Sequence, residues 1–413
     1  MKKNKFLSLS ILISIFIISF FDLSCDNATD PVSGVSGTIH NKFHFPLANI
    51  KVSSQGQTVL TSEDGRFNLS GISMPYDLIV SDSTFNLNVD IYKGLNISDL
   101  NLEFRKYLSK SSYAYIDVQL PPEIFQPGVT CEVIYSDKEY TNIYSTLISS
   151  NQNAILQVPV FNNVIKGKIY VLTYKADSSY RIISYENYGV SPDIEVSNGD
   201  AVNYTFTIDQ LSLNPGEKVV ECIIETNNIV SFGNFYLTFS PKNYIYTNTT
   251  FFSQLLESKF HVKIPTGIPD AFYSIIYYNI GNTDGNISLD PNTSNYLKLN
   301  SPCELLSPAN NAVNVNNNTT LTFSTGEGSG VYEIYLYNNT SFITTNYRIF
   351  TSENNFTLKG LEEAGYENFS GDNFTWLVLK KGTFSSLNDY AVNKFNIQNT
   401  FISQSHPRYF TFE

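Results

Sequence analysis

The chain is built from short apolar segments that turn residues interrupt at short intervals. Residues 46–52 alternate apolar and polar side chains after a proline, and residues 76–80 form a short segment that begins with Tyr76 and is apolar apart from Asp77. Between them, the Asp-Gly pair Asp64 and Gly65 separates two more segments of this kind. Alternation with a period of two is typical of a half-buried β-strand, and Asp-Gly is a strong turn signal. The pattern predicts an all-β chain and argues against a helical bundle.

The length of the chain determines how many such units are needed. With 413 residues, it is too long for one ordinary β-sandwich. We therefore predict a tandem array of small β-sandwich domains behind an N-terminal signal peptide.

Charge and composition limit the classes of function that this chain can have. The net charge is −12, charged residues make up 15% of the chain, and aromatic residues make up 14%. A nucleic-acid partner requires a basic surface, so no such partner is expected. The aromatic content also excludes a disordered chain, because disordered chains contain too little apolar surface to bury.

The first residues form a targeting signal. Three lysines within the first five positions precede an uncharged apolar run from Phe6 to Phe21. This run is shorter than the ~20 residues that span a bilayer and has the length of a signal-peptide core. We therefore predict a signal peptide over residues 1–24.

Cys25 follows the apolar run closely. The Leu-Ser-Cys sequence at 23–25 resembles the cleavage site of a bacterial lipoprotein signal, in which the cysteine is acylated, for example with palmitate, and becomes the mature N-terminus. Asp22 departs from that pattern, which usually carries leucine there. The resemblance implies lipid attachment at Cys25, a linker over 25–34, and a place in the bacterial cell envelope, at the outer membrane or cell surface. A soluble secreted form and an uncleaved anchor are the alternatives.

The other three cysteines are Cys131, Cys222 and Cys303. Three is an odd number, so at most one disulfide can form among them, and no Cys-x-x-Cys pair marks a zinc or redox site. Each lies in an apolar, strand-like segment. We expect three small, buried core residues, and neither a metal site nor a cofactor.

Residues 35–104 contain three motifs in a fixed order. A V-x-G-x-I opening at 35–39 is followed by P-L-x-x-I-x-V at 46–52 and by T-x-x-D-G-x-F-x-L at 61–69. The series resembles the carboxypeptidase regulatory-like domain, a small transthyretin-like β-sandwich. The resemblance implies a spacer or binding module, related by fold to carbohydrate-binding sandwiches, and no peptidase activity.

Two stretches of similar pattern follow, at 113–205 and 206–299. In each, an alternating segment leads through a Pro-Gly pair into an apolar strand, which contains Cys131 in the first copy and Cys222 in the second. The cysteines lie 222 − 131 = 91 residues apart, a normal length for a β-sandwich domain. We interpret the two stretches as β-sandwich repeats, although shared strand composition could produce the same pattern.

Residues 300–413 carry a third kind of pattern. An L-L-S-P-A-N-N-A opening at 305–312 precedes T-L-T-F, Y-x-I-Y-L and T-W-x-V segments, the last of which contains Trp376. This order resembles fibronectin type III-like modules of bacterial surface proteins, with an immunoglobulin-like sandwich. We expect Trp376 to be a core aromatic residue, and an exposed sugar platform is the alternative.

Catalytic candidates are few. Of the four histidines, His40 and His44 could share a face near a loop, whereas His261 and His406 have no partner nearby in sequence. We expect His40 and His44 to be solvated loop residues. No HExxH, Gly-x-Ser-x-Gly or phosphate-binding motif occurs. No catalytic residue is assigned, and the chain is predicted not to be an enzyme.

Two glycine-containing segments resemble binding loops. The run at 326–330 is glycine-rich but does not open a helix, so it predicts a flexible hairpin turn and no phosphate site. Asp284 and Gly285 lie in a segment that resembles a calcium loop without its terminal carboxylates, which predicts a tight turn. The acidic residues Asp193, Glu195 and Asp200 could at most bind calcium loosely.

These features predict a non-catalytic lipoprotein of the cell envelope that acts at the surface as a binding module or as a spacer. A lipid anchor would attach it to a membrane, and its ligands would be envelope proteins or glycans, bound by residues that the sequence does not identify. The alternative is an accessory subunit of a surface peptidase or polysaccharide-uptake system. A hydrolase is a third possibility. An exposed aromatic cluster would favour a glycan, and a flat apolar patch would favour a protein.

Overall fold

The computed structural model describes the chain from residue 34 to its end, with gaps. The described residues are 34–41, 45–82, 88–106, 112–137, 143–148, 153–160, 164–178, 182–212, 214–225, 230–240, 243–251, 259–268, 272–279, 283–298, 301–338, 346–365, 371–382, 384–393 and 401–413. The predicted signal peptide, Cys25 and His44 lie outside these residues. None of the helices in the described ranges is both long and apolar enough to cross a membrane.

The first sandwich is formed by seven strands near the N-terminus. They are β1 (Val35–His40), β2 (Lys51–Ser54), β3 (Gln57–Leu60), β4 (Arg66–Leu69), β5 (Tyr76–Asp82), β6 (Asn88–Leu95) and β7 (Asp99–Glu103). One layer has the order β4-β1-β7, and the other contains β6, β5, β2 and β3 as neighbours. The alternating side chains that predicted these strands point inward, and Ile39, Leu69 and Leu78 are buried in the core between the layers.

The second sandwich consists of eight strands. They are β8 (Ser112–Gln119), β9 (Val129–Asp137), β10 (Ile143–Ile148), β11 (Asn153–Val160), β12 (Val164–Ala176), β13 (Ile182–Val190), β14 (Ile194–Ser197) and β15 (Ala201–Thr205). The layer β11-β8-β15 faces the layer β10-β9-β12-β13, and β14 pairs with β12. Short 3-10 helices at Pro122–Ile124 and Ile208–Leu211 flank the sandwich.

The third sandwich contains seven strands. They are β16 (Lys218–Glu225), β17 (Val230–Ser240), β18 (Asn243–Phe251), β19 (Lys259–Ile264), β20 (Phe272–Asn279), β21 (Thr283–Leu289) and β22 (Asn295–Lys298). The layer β19-β16-β22 belongs to one sheet, and β18-β17-β20-β21 belongs to another.

The fourth sandwich ends the chain. Its elements are β23 (Leu305–Ser307), β24 (Ala312–Val315), β25 (Thr320–Phe323), β26 (Val331–Asn338), β27 (Asn346–Thr351), β28 (Asn355–Thr357), α1 (Lys359–Glu363), β29 (Asn373–Gly382), α2 (Leu387–Asn393), β30 (Phe401–Gln404) and β31 (Arg408–Phe412). The layer β23-β25-β28 covers a core that includes Trp376, which is fully buried. The fold class and the core position of Trp376 are therefore confirmed.

Three of the sandwiches repeat one strand arrangement. In each, a central strand (β1, β8 or β16) has an antiparallel neighbour on one side and a parallel neighbour on the other. Cys222 lies in such a central strand, whereas Cys131 lies in β9, between β10 and β12. The spacing of 91 residues between the cysteines therefore does not measure a structural repeat.

The first and fourth sandwiches share one sheet, and each contributes residues to the core of the other. Strand β27 pairs in parallel with β6, from Asn346 opposite Asn88 to Phe350 opposite Tyr92. The core of the first sandwich includes Phe350 and, from α2, Tyr390. The same sheet continues through β30 into β21 of the third sandwich. Because these segments share hydrogen bonds and core residues, the division into four separate domains remains a prediction.

Two turn predictions are wrong, because in both cases the strands involved pair with partners elsewhere in the sheets. The loop at 326–330 connects β25 to β26, which belong to different sheets, so it is a crossover and not a hairpin. Lys380 fixes this loop, because its Nζ donates to the carbonyl oxygens of Thr325, Glu327 and Gly328 at 2.8, 2.8 and 2.6 Å. Asp284 and Gly285 lie inside β21, where they pair with β20 and β30, and form no turn.

Candidate functional site

The three described cysteines are buried, as predicted, and none of them forms a disulfide. Burial raises the pKa of Cys131 and of Cys222 to about 12 and that of Cys303 to about 11. A thiol reacts as its thiolate, so these cysteines are poor nucleophiles at neutral pH. They are core residues and not catalytic candidates.

The described histidines occupy separate places. His40 ends β1, His406 is an exposed residue between β30 and β31, and His261 is an exposed residue of β19. Strand pairing places Glu221 opposite His261, with 3.8 Å between Nε2 and a carboxylate oxygen. This Glu221 also pairs with Lys259, so it serves as a surface counter-ion. The prediction that His40 is a loop residue is wrong, because its strand pairs with β7.

The acidic residues considered as calcium ligands instead contact lysines or the protein backbone. Glu195 pairs with Lys166 at 3.0 Å, and Asp193 lies 3.8 Å from Lys168. Asp200 accepts a hydrogen bond from the backbone of Ser197 at 2.7 Å. Within the described ranges, no group of three or more His, Cys, Asp and Glu residues is placed to hold a metal ion.

The exposed tyrosines of the described part are divided among different sheets. Tyr113 and Tyr115 follow each other on one face of β8, whereas Tyr296 lies on β22 and Tyr409 on β31. The first pair lies beside exposed Ile155 of β11. These positions do not converge on one cluster.

Three buried charged residues and a partly buried lysine lie where the first and fourth sandwiches meet. Arg348 of β27 contacts Asp90 of β6 through two hydrogen bonds, and its Nη1 lies 3.7 Å from Glu333 of β26. Glu333 is fully buried and also pairs with Lys381 of β29. The two carboxylates and two cations balance, which a buried set requires because an unpaired buried charge is very costly. We call Asp90, Glu333, Arg348 and Lys381 the junction charge cluster.

The electrostatics of the cluster follow from burial and pairing. Burial alone would lower the pKa of Arg348, but the carboxylates of Asp90 and Glu333 raise it well above its ordinary value. Burial raises the pKa values of Tyr92 and Tyr390, which surround the cluster. These raised pKa values keep Arg348 charged and Tyr92 and Tyr390 neutral at neutral pH, so the cluster is a fixed support. Sequence reasoning missed it, although a lone charge inside an apolar strand, as in N-Y-R-I-F, was a usable signal.

A cleft of about 290 Å³ opens at the same junction. Its lining comes from β6 of the first sandwich and from the segment between the end of β27 and α1 of the fourth. The lining residues are Lys93, Thr351, Glu353, Asn355, Phe356, Thr357, Lys359, Gly360 and Glu363. We call this site the junction cleft. Ligand pockets occur preferentially at such contacts between domains.

Strand alternation sets the polar character of the cleft. In β28, Phe356 points into the core, so Asn355 and Thr357 are both exposed on the other side. A Cβ at position 360 would lie 2.9 Å from the Phe356 ring, so Gly360 lets α1 pack closely on that ring. The close packing brings Lys359 and Glu363 to the rim of the cleft.

The opposite wall is held by an ion pair. Lys93 pairs with Asp77, which also accepts a hydrogen bond from the backbone of Gly94 at 2.8 Å. On the facing wall, the Thr351 hydroxyl accepts a hydrogen bond from the backbone of Glu353 at 2.9 Å. The cleft therefore presents donors and acceptors, with more polar than apolar surface. It can bind a polar ligand through hydrogen bonds.

Comparison with known proteins adds little to this picture. No family model matches the sequence, and no curated protein matches it. Among solved structures, the Bacillus anthracis TIE protein is 12% identical with a TM-score of 0.16, over 65% of this chain and 49% of that one. This chain thus spans about half the length of that protein.

Two further structures are similar at the same low level. A Ca²⁺-stabilized adhesin that helps an Antarctic bacterium bind ice is 9% identical with a TM-score of 0.18, over 89% of this chain and 90% of that one. The fimbrial anchor protein Mfa2 of Porphyromonas gingivalis is 7% identical with a TM-score of 0.18, over 40% and 78% of the two chains. TM-scores this low establish no relationship, and no conclusion about function follows from them.

Proposed function

We propose that this chain is a non-catalytic binding protein of the bacterial cell envelope, attached to a membrane by lipid on Cys25. The observation that carries the proposal is the junction cleft, an open polar site at a junction that buried charges hold rigid. Binding requires a fixed surface with positioned polar groups, and the cleft supplies both.

The chemistry of the cleft favours binding over turnover. Its lining includes no histidine, cysteine or serine, so the common pairing of a serine or cysteine nucleophile with a histidine base is missing from it. Glu353 and Glu363 are the carboxylates of the site, and both are exposed. A glycosidase general acid is instead held in an apolar pocket that keeps it protonated. Nothing in the cleft provides that environment.

The anchoring part of the proposal is supported by the lysine-rich start, the apolar run and Cys25. A lipid on the N-terminal cysteine would place the sandwiches outside the cytoplasm, where burial would protect the three described free thiols from oxidation. The family resemblances of residues 35–104 and 300–413 are compatible with a surface module and remain predictions.

The test is retention without turnover. The purified mature chain is immobilised and exposed to solubilised envelope polysaccharides and envelope proteins from the source cells. We expect one of these fractions to be retained and recovered chemically unchanged. Failure to retain either fraction, or release of cleavage products, would contradict the proposed function.

A further inference from the structure

We infer that the junction cleft takes a neutral, hydroxyl-rich ligand, that is, an uncharged saccharide segment. The inference rests on the proposed function and specifies the ligand class of the same site. It is argued from the charges, the hydrogen-bonding groups and the size of the cleft.

The charges of the cleft select against ionic ligands. Lys93 is already neutralised by Asp77, which leaves the ammonium of Lys359 facing the carboxylates of Glu353 and Glu363. An anionic ligand would meet more negative than positive charge here, and the net charge of −12 would repel a polyanion at longer range. A cationic ligand would in turn meet the ammonium of Lys359, so neither sign of ligand charge is matched by every group of the cleft. A neutral ligand avoids both penalties.

The hydrogen-bonding groups alternate in type along the facing wall. Glu353 only accepts, Asn355 does both, and Lys359 only donates. A hydroxyl group both donates and accepts, so hydroxyl groups can form hydrogen bonds with all three kinds of side chain. An aliphatic ligand could not form these hydrogen bonds. It would also gain little from contact with Phe356, which is only 4% exposed.

The strand geometry argues against an extended peptide. Peptides commonly bind by adding a strand to a sheet edge. Strand β28 is such an edge, but it has only three residues and is followed within two residues by α1. A strand this short offers few backbone groups for pairing. The volume, about 290 Å³, is at the lower end of ligand pockets and suits a short segment of a longer chain.

The experiment uses the full mature chain and a defined probe set. Calorimetric titrations compare neutral hexasaccharides of glucose, mannose, xylose and N-acetylglucosamine with oligogalacturonate, and with a pooled library of neutral and basic peptides. We expect at least one neutral hexasaccharide to bind. Asn355→Ala and Lys359→Ala should each weaken that binding about 10-fold, the loss of one or two hydrogen bonds.

Matched variants separate the cleft from the rest of the surface. Asn68→Ala and Lys51→Ala remove the same side-chain types from exposed positions of the first sandwich, and both should bind as the parent does. Thermal melting confirms that each variant is folded. The inference would be overturned if a neutral hexasaccharide bound and neither cleft variant weakened its binding. It would also be overturned if no neutral hexasaccharide bound. Binding of only oligogalacturonate or peptide would also overturn it, while the proposed function would stand.

Discussion

Arg348 of β27 and Asp90 of β6, 258 residues apart in the chain, face each other in adjacent parallel strands and form a buried two-point contact. The bond from Nε to Oδ1 is 2.7 Å long, and the two side chains are 4% and 2% exposed. A planar guanidinium fits a carboxylate in one orientation, so the contact fixes the register of the two strands. It therefore holds together the two walls of the junction cleft.

The first prediction concerns the stability of this contact. Arg348→Met leaves two buried carboxylates without their shared cation, and should lower the free energy of unfolding by about 3–5 kcal/mol. Arg66→Met, which removes an exposed pair with Asp64, should cost far less, because solvent screens an exposed ion pair. Urea denaturation measures both. Equal, small losses in the two variants would show that the junction charge cluster does not stabilise the fold.

The second prediction concerns the shared sheet. Limited proteolysis should cut near 105–112 and near 298–302, where the chain leaves one sandwich for the next. After both cuts, the first and last fragments should still elute together in gel filtration, because β6 and β27 pair and share a core. They should separate only in denaturant. Separate elution under native conditions would contradict the shared sheet.

The fold could be predicted from local pattern, but the junction could not. The apolar segment at 76–80 and the Asp-Gly pair at Gly65 are short-range signals, and they predict the strand and the turn that the structure contains. Pairing of Arg348 with Asp90 depends on two distant strands with complementary faces, and no local pattern encodes their proximity. The errors at Asp284 and at 326–330 have the same origin, because remote partners decide whether a glycine-containing segment extends or turns.

The site was harder to predict than the fold. Lys93 and Glu353 are ordinary exposed residues, and only the packing of the first sandwich against the fourth makes them walls of one cleft. Trp376 was predictable because an isolated tryptophan in an alternating strand normally faces the core, as it does here.

The third prediction concerns pH and the buried thiols. Burial raises their pKa values to about 11–12, above the ordinary value of 9.0 that applies to the unfolded chain. Their contribution to stability is therefore complete below pH 9 and is lost as the pH rises toward 11–12, because the unfolded chain alone loses these protons. The urea midpoint should fall steeply over this range, and less steeply in Cys303→Ala.

At pH 8, a thiol reagent should label these residues only in urea. Labelling at equal rates in the native protein would contradict burial.

The fourth prediction concerns anchoring. Cys25→Ser removes the nucleophile for acylation, so the protein should leave the membrane fraction or accumulate unprocessed. Cys131→Ser, which alters a core thiol, serves as the control and should stay with the membrane. Intact-mass measurement of the mature parent protein checks the same point. An unmodified Cys25 at its N-terminus would disprove the lipid anchor.

The central claim is binding without catalysis, and a product analysis with bound ligand tests it most directly. The mature chain is incubated with neutral hexasaccharides and envelope peptides for many hours, and both the bound and free material are analysed by mass spectrometry. The account predicts that the bound ligand is recovered intact. It also predicts that neither the parent chain nor the variants His261→Ala, His40→Ala and Glu353→Gln release cleavage products. Robust cleavage of any probe, abolished by one of these substitutions, would contradict it.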